Sequence, residues 1–190
     1  MNSMPMAGTA GPVFIYGPKN CGKTTISKIW IEKTGAKSLE KKNFVKLFNN
    51  SFIENKIRNC VFDNIDYLIE ENNKSFQEKI LNFINVQQSK KKSFILMTSE
   101  KPPRFIISEI KDLISRLSAS TVIEVKEPDE ELLKKIIKTF LTTRNIEIEN
   151  KFLDFICNRI ERTYSSAIQI AKQIDIASLE SHSKISHKFL

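Results

Sequence analysis

The stretch from Val13 to Ile29 limits the possible folds more than any other part of the chain. A short apolar run, Val13-Phe14-Ile15-Tyr16, meets Gly17; Gly22, Lys23 and Thr24 then follow at the spacing G-x-x-x-x-G-K-T. Strand, glycine-bounded loop and helix in that order make a phosphate-binding loop. The glycines let the backbone curl, so that successive N–H groups point at phosphate oxygens. The helix beginning at Lys23 adds the positive end of its dipole. Gly17, Pro18, Lys19, Asn20, Cys21, Gly22, Lys23, Thr24 and Thr25 are therefore assigned to binding a nucleoside triphosphate or diphosphate. Lys23 is expected on the β- and γ-phosphates, and the Thr24 hydroxyl on Mg²⁺. The chain has only five glycines, two of them in this loop and none after Gly35, which makes a chance match harder.

With 190 residues, 41% of them hydrophobic, the chain suits one domain or a domain with a small lid. No run approaches the ~20 apolar residues of a membrane span. The opening MNSMPMAGTAGP lacks a basic region followed by an apolar core, so no secretory leader is expected. Cys21, Cys60 and Cys157 are odd in number and show no metal spacing, and they read as reduced thiols of a cytoplasmic protein. Cys21 sits inside the loop, as an oxidation-sensitive thiol or a small filler. The net charge of +8 invites a nucleic-acid or acidic partner. Lysines far outnumber arginines and are scattered, except for Lys90-Lys91-Lys92, which argues against direct sequence-specific reading of DNA.

Beyond the loop, strands are expected near 12–16, 37–39, 59–66, 93–99 and 121–125. Helices are expected at 23–33, within 43–56, at 72–89 and at 107–117, with Ile26, Ile29 and Trp30 on one face of the first. Strands alternating with helices argue a parallel, doubly wound α/β sheet. From Pro128 the pattern turns helical, with segments after Pro128, at 150–162 and at 165–179, and at most a short strand at Ile146–Ile148. An α/β core followed by a small helical lid is the AAA+ layout. The expected division is a flexible tail 1–11, a P-loop nucleotide-binding core 12–126 and a helical lid 127–190.

Val61-Phe62-Asp63 is an apolar strand ending in a carboxylate, the Walker B pattern, and would share Mg²⁺ with Thr24. The next position governs hydrolysis, because a second acid there would polarise the attacking water. Here it is Asn64, a neutral amide, and binding should outrun hydrolysis. Asp66 is expected to point elsewhere by strand alternation if the strand continues. At the end of the 94–97 strand, Ser99 or Thr98 is the candidate sensor of the γ-phosphate, or else ends an ordinary strand. Arg116, late in a surface helix, is either solvated or an arginine finger for a neighbour's nucleotide. In the second case it would stabilise charge on the transferred phosphoryl oxygens.

The segments GPKNCGKT (17–24), CVFDNID (60–66), FILMTSEKPPR (94–104), DLISRLSAS (112–120) and IEVKEPDEELLKKII (123–137) together resemble the DnaA family of bacterial AAA+ proteins. The resemblance covers about 12–185 and leans toward the family's Hda-like regulators. It implies bound ADP or ATP and a cytoplasmic role in replication initiation. Hda-like proteins, with the DNA-loaded sliding clamp, dock on ATP-bound DnaA and supply an arginine finger that triggers hydrolysis. Carried over, Arg116 is that finger, while Lys23, Thr24 and Asp63 hold the chain's own nucleotide and metal. The chain ends at Leu190, where a DNA-reading helix-turn-helix domain would follow in an initiator, so a regulator is expected.

Three departures stand beside the resemblance. No Gln-Leu clamp-binding motif precedes the core. The sensor-2 arginine position falls on Ser165, with Arg162 three residues earlier as a substitute or Ser165 as a helix cap. The stretch between the Walker motifs has no insert for gripping DNA. Self-association stays open. So do a DNA-associated AAA+ factor (a helicase loader or initiator core) and a small-molecule P-loop kinase, although residues 128–190 offer a kinase lid only Arg144, Arg159 and Arg162. Trp30 reads as core, Tyr16 as sheet packing or a flank of the base, and His182 and His187 as solvated.

Overall fold

The computed structural model describes residues 11–48, 57–90 and 93–181. The tail before Gly11, residues 49–56 with Phe52, Lys91 and Lys92, and His182 and His187 lie outside the described residues. The chain divides into two compact units. One comprises the residues up to Gly17 and Lys23–Val125, the other Pro18–Gly22 and Lys126 onward.

The first unit is an α/β layer structure. Its strands are β1 (Val13–Tyr16), β2 (Lys37–Ser38), β3 (Asn59–Phe62), β4 (Phe94–Ser99) and β5 (Thr121–Glu124). They form one parallel sheet in the order β2-β3-β4-β1-β5. β3 and β4 are nearly continuous apolar runs because helices cover both sheet faces. On one face Phe44 meets Phe62 and Phe83 edge-to-face at ring distances of 5.5 and 5.6 Å. On the other, Ile15, Val61 and Leu96 pack with Ile26 and Trp30 of α1 (Lys23–Thr34). Ile29, expected beside them, is 46% exposed; the inward stripe of α1 runs through Ile26 and Trp30, at i and i+4. α1 stops at Gly35, whose positive φ of 63° and N–H bond to the Ile31 carbonyl close the helix in the left-handed conformation.

α2 (Lys41–Phe48) and α3 (Ile65–Glu70) flank β3, and α4 (Lys74–Ser89) leads to β4. The β3 strand does not continue to Asp66. It ends at Phe62, and Asp66 is a buried first-turn residue of α3 whose Oδ2 accepts the Glu100 N–H at 2.8 Å. The helix expected over 107–117 begins only at Lys111, as α5 (Lys111–Ser118), with Leu113 and Leu117 buried. Pro102-Pro103 instead sets up a single 3₁₀ turn, Pro103–Phe105.

The segment between that turn and α5 is fixed by two side chains. The Glu70 carboxylate accepts from the Ile107 N–H at 3.0 Å and from the Lys101 ammonium at 2.9 Å. The buried Gln77 amide spends all its capacity here: Nε2 donates to the Ile69 and Asn72 carbonyls, and Oε1 accepts from the Ser108 hydroxyl and the Glu109 N–H. Burial by itself would raise the Glu70 pKa; the Ile107 N–H and Lys101 outweigh it and hold the carboxyl below its ordinary 4.5. A lowered folded pKa gives stability that is present at neutral pH and lost as pH falls below 4.5 through the folded value. Glu70→Gln should therefore be less stable than wild type at pH 7, with the gap closing toward pH 3. Urea midpoints at the two pH values check this.

The second unit contains α6 (Glu130–Thr142), α7 (Asn150–Cys157) and α8 (Tyr164–Ser181) around Leu133, Ile137, Leu141, Phe152, Ile156 and Ala167. Asp129 caps α6, accepting from the Leu132 N–H at 2.8 Å. Lys134 bridges Glu130 and Asp154, each at 2.6 Å. No strand forms at 146–148; Ile146 and Ile148 pack onto the helical core from a loop. The cap of α8 is Thr163, whose Oγ1 accepts from the Ser166 N–H at 3.1 Å, and not Ser165. Among the described residues no helix is long and apolar enough to cross a membrane.

Candidate nucleotide-binding site

The sheet register decides what meets at its carboxyl end. Tyr16 pairs with Ser99 and Phe62 with Met97, so the residues just past β1 and β3 stand beside the end of β4. Such an edge of a parallel sheet is where α/β folds gather ligand groups.

Asp63 is the centre of the cluster. The Thr24 hydroxyl donates to its Oδ2 at 3.0 Å, and Ser27 and Thr98 donate to its Oδ1 at 3.2 and 2.5 Å. Three hydroxyls thus fix both carboxylate oxygens. Lys23 is only 6% exposed, and its ammonium donates to the Gly17 carbonyl at 2.7 Å. The Gly17 N–H in turn bonds the Ser99 carbonyl at 3.2 Å, tying the mouth of the loop to β4. Ser27 was not singled out from the sequence. Its signal was there: three residues after Thr24 on α1, it lies on the same helix face.

Of the two hydroxyls proposed at the end of β4, Thr98 is the one placed on Asp63. Ser99 is buried in its own turn, donating to the Lys101 carbonyl at 2.6 Å and accepting the Lys101 N–H at 3.0 Å. The Thr98 Oγ1 also accepts the Asn64 N–H at 2.9 Å, so one hydroxyl links both residues. Asn64 is exposed and left-handed, with φ and ψ of 55°. Asn and Asp both enter that region at little cost. The backbone here would therefore accept an acid as readily as the amide.

The middle of the loop, Pro18–Gly22, belongs to the second unit. Gly22 takes a φ of 100°, which a side chain would strain, and Asn20 takes 60°. The Asn20 carbonyl accepts the Tyr164 N–H at 3.2 Å, at the start of α8. Arg162, just before α8, is exposed, as are Pro18, Lys19, Thr24 and Thr25. Cys21, Cys60 and Cys157 are buried and none is in a disulfide. Burial pushes the Cys60 thiol up to about 12 and also raises Cys157, which makes both poor thiolates. Arg116 is exposed on α5 and reaches the Gln88 side chain at a long 3.5 Å.

The donor set fits Mg²⁺ with a nucleotide. Mg²⁺ takes one or two protein oxygens and completes its shell with phosphate and water, and Thr24 and Asp63 present such a pair. Among the described residues no cluster of three or more His, Cys, Asp or Glu offers a closed metal cage.

No protein-family model matches the chain. It is 28% identical over 171 residues to the chromosomal replication initiator protein DnaA of Helicobacter hepaticus, covering 81% of this chain and 36% of that protein. To DnaA of Lactobacillus johnsonii it is 27% identical over 167 residues, covering 79% and 36%. The chain thus spans about a third of the length of these curated relatives. Domain III of Thermotoga maritima DnaA superposes with a TM-score of 0.73 at 19% identity, covering 94% of this chain and 81% of that one. DnaA bound to AMPPCP and single-stranded DNA gives 0.71 at 20%, covering 90% and 56%. Thermotoga maritima RuvB gives 0.71 at 23%, covering 94% and 59%.

Proposed function

The chain is a DnaA-family AAA+ protein, and from that premise we propose that it is a nucleotide-binding regulator of replication initiation. In this reading residues 12–126 are the nucleotide-binding core and 127–190 a lid. Lys23 and the loop from Gly17 to Thr25 hold the phosphates of ADP or ATP. Thr24 and Asp63 hold Mg²⁺, which supplies charge neutralisation between phosphate oxygens when bound. Thr98 keeps Asp63 in place, Ser99 closes its own turn on Lys101, and Arg162 is assigned to the nucleotide as the substitute for the sensor-2 arginine. Arg116 acts on the ATP of DnaA. AMPPCP bound to a DnaA of the same fold supports the nucleotide class. The clamp-assisted route stays part of the reading.

The observation that carries it is the composition of the Asp63 cluster. The buried Lys23 stands at the mouth of the loop on the Gly17 carbonyl, and three hydroxyls preset the Asp63 carboxylate for binding. Yet Asn64, held on Thr98 beside it, has no proton-accepting power. A site built to bind and short of a base fits a nucleotide-set switch better than a motor. Asn64→Asp places a carboxylate on a backbone that tolerates it. The expected result is intrinsic ATP hydrolysis raised roughly a hundredfold, the low end of what a positioned base supplies, with ADP affinity unchanged. Steady-state phosphate release measures it.

The deciding experiment is hydrolysis by purified ATP-loaded DnaA with and without this protein, in the presence of DNA-loaded clamp. Acceleration supports the regulator; its absence removes it. The fold shared with RuvB and with DnaA on single-stranded DNA keeps one second reading, a DNA-associated AAA+ factor. That reading requires DNA binding with a steep salt dependence.

A further inference from the structure

We propose that Ser27, together with Thr98, makes the Asp63 site selective for Mg²⁺ over Ca²⁺ by closing one of the two carboxylate oxygens to metal. The inference rests on the reading of Thr24 and Asp63 as the metal pair. What carries it is a count of lone pairs. An ionised carboxylate has two oxygens with about four acceptor sites between them. At Oδ1 two hydroxyls already donate, Ser27 at 3.2 Å and Thr98 at 2.5 Å. At Oδ2 only Thr24 donates, at 3.0 Å. The carboxylate therefore keeps one open acceptor site, on the oxygen that the Thr24 hydroxyl also touches.

The closed oxygen is on the buried side. Ser27 and Thr98 are both buried, whereas Thr24 is exposed. Neither donor on Oδ1 is free to turn away. The Thr98 oxygen also accepts the Asn64 N–H at 2.9 Å, which fixes it from the backbone. A helical serine commonly turns its hydroxyl back to the carbonyl four residues earlier. The Ser27 hydroxyl instead crosses from α1 to the residue that ends β3, and with water excluded it has no other use there.

One open site suits one ion better than the other. Mg²⁺ draws on one or two protein oxygens and fills its shell with phosphate and water. Ca²⁺ gathers roughly six to eight oxygens and often takes both oxygens of one carboxylate. With Oδ1 occupied, Asp63 can serve the first need and not the second. Of the two donors on Oδ1, Ser27 is the dispensable one for the backbone, since Thr98 alone carries the Asn64 N–H. Ser27 acts through Asp63, so it is a positioning residue that sets metal choice. Outer partners that hold a ligating carboxylate also raise its affinity for the favoured ion.

The test is calorimetric titration of ADP into the full chain with EDTA, with Mg²⁺ and with Ca²⁺. Chelation of either ion by free ADP is the same for every variant and drops out of the comparison. In wild type, Mg²⁺ should strengthen ADP binding more than Ca²⁺ does. In Ser27→Ala the gain from Mg²⁺ should fall about tenfold, while the gain from Ca²⁺ is kept or rises. Ser27→Thr keeps the hydroxyl and should restore the wild-type preference; urea midpoints check that both variants are folded. A purely structural serine would weaken both ions alike, and that result overturns the inference. So does a Ser27→Ala variant with the wild-type preference, a folded Ser27→Thr variant that behaves as Ser27→Ala, or a wild type that gains as much from Ca²⁺ as from Mg²⁺. Each of these leaves Thr24 and Asp63 standing as the metal pair. Wild-type affinity that neither ion changes overturns the metal pair and this inference together.

Discussion

Lys23→Ala is expected to abolish useful nucleotide binding while leaving the protein folded. Lys23 is buried at the start of α1, and its ammonium sits 2.7 Å from the Gly17 carbonyl. That position lies at the mouth of the loop, where the phosphates of ADP or ATP would replace a carbonyl dipole with full negative charge. Removing one partner of a desolvated charge pair costs about 2–5 kcal/mol, or roughly thirtyfold to several thousandfold in affinity. The cost to the fold is smaller. The Gly17 carbonyl loses one donor, about 1–2 kcal/mol for a buried acceptor left unpaired. Titration calorimetry with ADP should therefore show binding disappear while the urea midpoint shifts modestly. Lys23→Arg is the control for charge alone: its planar fork is longer and cannot restore the point contact. Affinity retained in Lys23→Ala would remove Lys23 from the site.

Much of this was legible before any coordinates because the loop motif fixes order, spacing and direction at once. A strand, a glycine-bounded turn and a helix oblige Gly17, Lys23 and Thr24 to converge, and the apolar runs at Cys60–Phe62 and Phe94–Met97, alternating with helical segments, read as buried parallel strands. What failed to show had local causes. Ser27 was hidden because a small polar residue on a helix looks like any solvated one until the register of β3 brings Asp63 opposite. The choice between Thr98 and Ser99 depends on a single residue of strand phase, and adjacent strand residues face opposite ways. Strand alternation turns Asp66 away from the site only if the strand continues; it belongs to a helix, and its Oδ2 accepts the Glu100 N–H. Around 101–110 the sequence offers only two prolines and a run of apolar residues. It is the contacts with Glu70 and Gln77, about thirty positions earlier, that turn this segment into a rigid loop with exposed side chains.

The second large effect concerns Arg116, and here the expected loss appears in another protein's chemistry. Arg116 lies in the last turn of α5 between the buried Leu113 and Leu117, and its own side chain is exposed. A cation at a helix C-terminus is favourable, and its bond to Gln88 at 3.5 Å is too long to hold it. The guanidinium can therefore leave that contact at almost no cost. Arg116→Ala should change stability by no more than about 0.5 kcal/mol, the usual range for an exposed position, and should bind ADP as wild type does. Stimulation of DnaA hydrolysis should fall by roughly a thousandfold or to background, the scale of a lost arginine finger. Arg116→Lys should recover little, because an ammonium cannot give two parallel donors to the phosphoryl oxygens. Single-turnover hydrolysis at saturating regulator separates this from a docking defect, since excess protein cannot rescue a missing transition-state contact. If the alanine variant stimulates DnaA like wild type, Arg116 is a solvated surface residue and the regulatory contact must use a different group.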